Sequence, residues 1–212
     1  MKWWIGIVIL MGLTACDWIN PDEPVPDYIV IPDIALTTDY LAEGSASERI
    51  EDAWVYIDNN AIGVFQLPAR VPIIEGSGTL LVVPGILERG ISNTREPYPF
   101  YQGYSVDYTY DPATDDTIYP SIKYRDNVII PLKEDFESGN EFSGMTVTSA
   151  TSEVYEGDKS GVVRLDSDND TLLAFSTGYE LPGGGTRVYL ELDYRNDIPF
   201  NILLQGNRVQ GN

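Results

Sequence analysis

The chain has 212 residues, of which 33 are acidic and 13 are basic, so its formal net charge at pH 7 is −20. A surface this acidic repels phosphate backbones and anionic lipid headgroups, which excludes nucleic acid as an expected partner. The sequence contains no histidine and a single cysteine, Cys16, which excludes Ser-His-Asp and Cys-His catalysis and every histidine-ligated zinc site.

The first sixteen residues carry a targeting signal. Lys2 precedes an apolar run that is too short to cross a ~30 Å hydrocarbon core as a helix but has the length expected in a secretory signal. The run ends in Leu13-Thr14-Ala15-Cys16, which resembles the lipobox of bacterial lipoproteins. The resemblance implies that residues 1–15 are a lipoprotein signal peptide, and that Cys16 becomes the mature N-terminus and carries acyl chains such as palmitate. The acyl chains would then hold the protein at a membrane.

Residues 16–32 are predicted to be an acidic tether between the lipid and the folded body. They contain four prolines, and frequent proline favours extended, semi-rigid backbone. An alternative is open for residues 28–31, whose apolar sequence is also consistent with the first strand of the domain that follows.

Residues 33–131 are predicted to form a β-sandwich module. Residues 53–57 are rich in aromatic and β-branched side chains, Asp58-Asn59-Asn60 offers turn chemistry, and residues 61–65 are again apolar. This pattern predicts a hairpin. Two further strands are predicted at residues 79–83 and 104–110, and one short helical turn is predicted at residues 46–54.

Part of this module resembles a known family. Residues 52–68 and 71–76 resemble the PEGA-type β-sandwich modules of bacterial surface proteins, in which a V-x-I-D-G strand is followed by an apolar strand, a Leu-Pro step and a glycine-containing turn. Asn59-Asn60 replaces Asp-Gly here. The resemblance implies a non-catalytic binding or spacer module.

A second module is predicted at residues 132–212. Its opening, residues 135–139, together with the alternating residues 145–148, resembles the start of the jelly-roll domains of carbohydrate-binding and adhesive proteins. About six strands are predicted where a jelly roll needs eight, so we expect closing strands beyond Asn212 and exposed apolar side chains near residues 188–194 and 200–204. The predicted core residues are Phe136, Val147, Val163, Leu165, Leu173, Phe175, Val188, Leu190, Leu192, Ile202 and Leu204.

One acidic cluster raises the question of a metal. Asp166, Asp168 and Asp170 alternate like the start of a calcium loop, but the glycine and glutamate that an EF-hand needs are replaced by Thr171 and Thr177. A polar hairpin turn is the favoured interpretation. The alternative is a structural calcium site of the kind that the jelly-roll resemblance implies, completed by Glu137 or Asp193. No other cofactor is predicted.

Aromatic and basic residues suggest two further roles. Tyr98, Phe100 and Tyr101 lie beside Pro97 and Pro99 in a predicted loop. They either pack in the core or present a ring on which a sugar could stack. The rare cations Arg89, Arg95 and Arg125 are expected to compensate nearby acids rather than to form a site. Glu191 and Asp193 share one face of a predicted strand, which favours a solvated face over a catalytic pair.

The overall prediction is an all-β protein, with an Ig- or PEGA-like sandwich followed by a jelly-roll-like sandwich behind a lipoprotein signal peptide. These features resemble surface lipoproteins of the Bacteroidota, which implies attachment to the outer membrane without deciding the side. The favoured hypothesis is a non-catalytic subunit, spacer or interaction module that contacts an outer-membrane protein. Two alternatives are a glycan-binding lipoprotein for polysaccharide capture and, third, a carboxylate-based glycosidase.

Overall fold

The structure, a computed structural model, describes residues 23–88, 93–167, 171–176, 178–182 and 185–203. Within these residues the regular structure is almost entirely β, which confirms the prediction of an all-β protein. The elements in chain order are β1 (Asp27–Ile31), β2 (Ala35–Leu36), α1 (Tyr40–Glu43), β3 (Asp52–Ile57), β4 (Asn60–Gln66), β5 (Ala69–Ile73), β6 (Gly78–Leu87), β7 (Arg95–Pro97), β8 (Tyr104–Tyr108), β9 (Asp115–Thr117), β10 (Ser121–Ile122), β11 (Thr146–Thr148) and β12 (Ser160–Val162).

Sheet I has the strand order β5-β1-β9. The central strand β1 runs antiparallel to β5 and parallel to β9. Alternate residues Ile29 and Ile31 are fully buried, because successive side chains of a strand point to opposite faces. Residues 28–31 therefore form the first strand of the body, and the boundary at residue 33 that the sequence predicted lies too late in the chain.

Sheet II has the order β4-β3-β6-β7, and β8 pairs with the first half of β6 along the same edge as β7. The predicted hairpin is confirmed as β3 and β4. Asp58 and Asn59 form its two-residue turn with φ values of 47° and 66°. Left-handed backbone at both positions matches the right-handed twist of the flanking strands, and asparagine and aspartate tolerate it well.

The two sheets enclose one apolar core. Ile29, Val71 and Ile73 of sheet I and Val55 and Val82 of sheet II are buried in the same cluster. Burying each such side chain contributes about 1.5–3 kcal/mol relative to leaving it in water. This sandwich is the part of the molecule that positions the candidate site.

The short helix lies earlier than the sequence pattern indicated. Residues 46–54 contain no helix, and α1 occupies Tyr40–Glu43 instead. The Asp39 side chain accepts hydrogen bonds from the backbone N–H groups of Leu41 and Ala42, so a capping residue rather than apolar spacing decides the position. Among the described residues, no helix has the length and apolar character needed to cross a bilayer.

The region from residue 132 onward is less regular than predicted. Its described part contains the antiparallel pair β11 and β12 and an isolated bridge between Ser143 and Phe175. Strands are also expected from the sequence at residues 171–175, 187–194 and 200–204, but no extended ladder forms in the described part of these ranges. Phe136 is half-buried and Leu204 lies outside the described residues. The other predicted core residues are exposed, namely Val147, Val163, Leu165, Leu173, Phe175, Val188, Leu190, Leu192 and Ile202.

Candidate functional site

A cluster of tyrosines lies at one end of the sandwich. Tyr98, Tyr101 and Tyr124 are buried there, and the rings of Tyr98 and Tyr101 meet edge to face with their centroids 4.6 Å apart. Local backbone pairing positions these rings. The Tyr98 N–H donates to Pro84 O after β7, and Tyr101 forms an antiparallel bridge with Tyr124.

A segment from the far end of the chain docks on this cluster. We refer to residues 187–191 as the docked segment. The Tyr189 ring contacts Tyr98 and Phe100 edge to face, with centroid separations of 5.1 and 5.4 Å. The two oxygens of the Glu191 carboxylate accept hydrogen bonds from the hydroxyls of Tyr98 and Tyr124, the latter at 2.6 Å.

A second polar contact fixes the start of the docked segment. Glu96 accepts hydrogen bonds from the Tyr189 hydroxyl at 2.8 Å and from Arg187 Nη1 at 2.9 Å. These two hydrogen bonds hold the pKa of Glu96 below its usual value. Alternate residues of the segment therefore face the body, while Val188 and Leu190 between them are exposed.

The electrostatics of the cluster favour binding over proton transfer. Burial, reinforced by the hydrogen bonds to Glu191, raises the pKa values of Tyr98 and Tyr124 well above the ordinary value. Burial also raises the pKa of Tyr101, and the negative charge of Glu191 adds to the effect. A phenolate nucleophile or base would need a lowered pKa, so these hydroxyls act as fixed hydrogen-bond donors.

The predicted ligand-binding residues Tyr98, Phe100 and Tyr101 do come together, but not as a platform for a ligand. Tyr98 and Tyr101 are buried, and Phe100 is half-buried against Tyr189. Their rings contact other rings, so the prediction of an outward-facing aromatic loop is wrong for Tyr98 and Tyr101. The alternative interpretation, packing in the core, describes both.

The predicted calcium ligands do not meet in the described residues. One oxygen of Glu137 accepts the backbone N–H groups of Asp158 and Lys159 at 2.7 and 2.9 Å, so this carboxylate stabilises a turn. Asp193 is exposed, and no group of three acidic residues in the described ranges is arranged to hold a metal ion. Asp166 is exposed as well, whereas Asp168 and Asp170 lie outside the described residues. Cys16 and the signal segment 1–15 also lie outside them.

One of the rare cations, Arg95, forms an ion pair with a buried acid. Asp52, at the start of β3, is fully buried and forms an ion pair with Arg95 of β7. Arg125 donates through Nε to the backbone carbonyl of Tyr101 at 2.9 Å. Arg95 therefore compensates a buried acid, as the sequence predicted, whereas Arg125 binds a backbone carbonyl. Arg89 lies outside the described residues.

Sequence reasoning missed the roles of two acids. Asp27 is fully buried at the start of β1 and accepts hydrogen bonds from Tyr108 and Thr114. Glu191 was assigned to a solvated face and is exposed, but its carboxylate also joins two buried tyrosines. The sequence feature that could have indicated these roles is the large number of tyrosines, because a buried tyrosine hydroxyl requires a hydrogen-bond acceptor such as a carboxylate.

Comparison of the chain with protein-family models, with curated proteins and with solved structures found no match. The site is therefore interpreted through its own geometry. That geometry consists of a rigid aromatic and polar contact that fixes an extended segment on the body, with apolar side chains left on the outer side of that segment.

Proposed function

We propose that the protein is a lipid-anchored, extracytoplasmic and non-catalytic interaction module, acting as a subunit or spacer in an outer-membrane complex of the Bacteroidota type. The anchor is Cys16, on the strength of the Leu13-Thr14-Ala15-Cys16 motif. In this proposal the module predicted at residues 33–131, extended at its start by β1, is PEGA-like, which the β3–β4 hairpin and the following β5 support. The assignment of residues 132–212 to a jelly-roll-like module rests on the sequence resemblance of residues 135–139 and 145–148, and the antiparallel β11–β12 pair is in keeping with it.

The chain length between the anchor and the body sets where the module acts. Residues 17–26 separate Cys16 from β1. Ten residues span at most about 35 Å when fully extended. The sandwich is therefore held close to the bilayer surface, where its partners are other membrane proteins or their extracytoplasmic domains.

The interaction role is supported chiefly by the exposed apolar side chains on the side of the docked segment that faces away from the body. Val188, Leu190 and Leu192 are roughly half exposed, although Tyr189 and Glu191 beside them are fixed on the body. A partner that binds apolar side chains already held in place loses little conformational entropy from them. Exposed apolar surfaces of this kind mark protein contacts. Burial of Tyr98 and Tyr101 leaves glycan stacking at residues 98–101 without support.

Anchoring and assembly can be tested in the bacterium that encodes the protein. Metabolic labelling with a palmitate analogue should mark the wild-type chain but not Cys16→Ser, and equal labelling of both would contradict the anchor. In native gels of gently solubilised outer membranes, the wild type should migrate as a larger assembly.

A matched pair of variants locates the contact. Leu190→Asp should disperse the assembly, because it places a charge on the outer side of the docked segment without removing a contact to the body. Leu41→Asp is the control, since Leu41 is also a highly exposed leucine, and it should leave the assembly intact. Persistence of the assembly in Leu190→Asp, or a monomeric wild type, would overturn the interaction role.

A further inference from the structure

A groove opens along one side of the sandwich, where sheet I and sheet II end. It lies between β8 and β9, encloses about 430 Å³ and has Ile29 and Leu80 at its base. Both of these side chains are almost completely buried, and the half-buried Val106 and Ile118 form its walls. The groove therefore has an apolar base, as ligand-sized clefts usually do.

The two strands that border the groove each have an unused edge. Among the described strands, β8 pairs with β6 and β9 pairs with β1, and neither has a second partner. In the parallel ladder of β9, the Tyr28 N–H donates to Thr114 O and the Ile118 N–H donates to Val30 O. Since alternate residues of such a strand bond to its neighbour, the backbone groups of Asp115 and Thr117 point the other way, towards the open edge.

The rim of the groove is acidic. Asp107 on β8 and Asp116 on β9 both border it and are exposed. The body as a whole is also strongly negative. A second copy of this chain would bring two acidic rims together, which like charges oppose, whereas a cationic segment is attracted.

We propose that this groove binds an extended segment of a partner protein, in which apolar residues alternate with lysine or arginine. The segment adds a strand to the free edge of β9, its apolar side chains enter the groove, and its cations are attracted by the negative charge of the rim, to which Asp107 and Asp116 contribute. Strand addition of this kind draws affinity from main-chain hydrogen bonds and specificity from alternate side chains. The inference names a partner chemistry for the proposed interaction role and rests on it, although it concerns a surface separate from the docked segment.

The test uses the full chain carrying Cys16→Ser and a synthetic hexapeptide of alternating valine and lysine. Titration followed by NMR should shift the amides of β8 and β9, and the same peptide with glutamate in place of lysine should bind far more weakly. Methylating alternate backbone nitrogens of the lysine peptide should abolish binding. Equal binding of the methylated peptide, or shifts confined to other elements, would overturn the inference.

Variants of the protein distinguish the contribution of backbone hydrogen bonds to binding from the contribution of charge. Thr117→Pro removes an outward N–H without removing a bond to β1, and it should abolish binding, whereas Thr117→Ala should not. Asp107→Asn with Asp116→Asn should weaken binding about fivefold. Glu75→Gln, beyond the opposite edge of sheet I, should leave the affinity unchanged. If Thr117→Pro fails to fold, the methylated peptide makes the same comparison.

Two other outcomes are decisive. Self-association of the protein that Thr117→Pro disrupts would mean that a second copy occupies the groove, which overturns the proposed partner. Absence of peptide binding, in a protein whose membrane assembly still depends on Leu190, would overturn this inference and leave the proposed function standing.

Discussion

Tyr108 on β8 donates a hydrogen bond of 2.5 Å to the carboxylate of Asp27 on β1, and this bond joins sheet II to sheet I. The same carboxylate accepts from Thr114 at 2.8 Å and from the backbone N–H of Asp111 at 3.3 Å. Burial opposes ionisation of Asp27, but these hydrogen bonds together outweigh it and hold its pKa below the ordinary value of 3.8. Asp27 therefore remains charged inside the sandwich.

The first prediction concerns acid stability. A carboxyl group whose pKa is lowered on folding stabilises the folded state above its unfolded pKa, and this stabilisation is lost as the pH falls through the folded value. Below about pH 4, the wild type should therefore lose more stability than Asp27→Asn does. At pH 7 the variant should be less stable by about 1–3 kcal/mol, because a carboxylate that accepts several hydrogen bonds is gone.

Urea unfolding followed by circular dichroism across the acidic range measures this difference. Asp126→Asn, which removes an exposed acid after β10, is the control and should reproduce the wild-type curve. An Asp27→Asn variant with the pH dependence of the wild type would contradict the assignment.

The second prediction concerns alkaline pH. The pKa values of Tyr98 and Tyr124 are raised above 10.0, chiefly by burial and then by their hydrogen bonds to Glu191. Groups with a raised pKa contribute their full stabilisation below the unfolded pKa and lose it as the pH rises from there towards the folded value. The phenolate absorbance should therefore show a delayed fraction that appears only as the protein unfolds. Tyr124→Phe should reduce the delayed fraction, whereas Tyr119→Phe, which removes an exposed tyrosine, should leave the delayed fraction unchanged.

The third prediction concerns the docked segment. Glu191→Ala leaves the hydroxyls of Tyr98 and Tyr124 without this acceptor, which should cost about 1–3 kcal/mol of docking free energy. Hydrogen exchange should then accelerate across residues 185–203 while β3 and β6 keep their protection. Asp193→Ala, two residues further on and exposed, is the control. Unchanged exchange in Glu191→Ala would show that the carboxylate does not hold the segment.

The fourth prediction concerns the buried ion pair. Arg95→Met would leave the Asp52 carboxylate buried without its cation, and removing one partner of a buried pair typically costs about 3–5 kcal/mol. Because the Arg95 side chain is about one-third exposed, we expect the lower end of that range. Arg49→Met breaks an exposed pair with Glu51 at 3.0 Å and should change the free energy of unfolding by less than about 1 kcal/mol. Chemical unfolding of both variants makes the comparison, and equal losses would refute it.

The sequence predicted the fold best where neighbouring residues determine the structure. The β3–β4 hairpin needs only the alternation of two adjacent strands and the turn at Asp58 and Asn59. The docked segment has similar alternation with the opposite outcome, since Tyr189 and Glu191 face the body and Leu190 faces water. Alternation indicates that two faces differ, but the aromatic and hydroxyl-bearing surface beneath the segment decides which one contacts the body.

The candidate site could not be predicted for a related reason. Tyr98 and Tyr101 lie in a short proline-flanked stretch that is typical of a surface loop. Their burial depends on Tyr124 and Glu191, which are 26 and 93 residues from Tyr98 along the chain. Neither contact leaves a signal in the local pattern. The exposed apolar side chains near residues 188–194 were predicted, and that expectation is confirmed.

The position of β1 has a mechanical consequence. It is the first described strand after the proposed lipid anchor, and it pairs with β5 along its whole length on one side and with β9 through residues 28–30 on the other. A force that pulls on the chain ahead of Asp27 acts along the strand, so it loads both ladders in shear at once rather than peeling hydrogen bonds apart one after another. With the proposed anchor in place, drag on the body or on a bound partner is resisted by the most deeply buried strand of sheet I, and tension passes to the membrane without unravelling the sandwich.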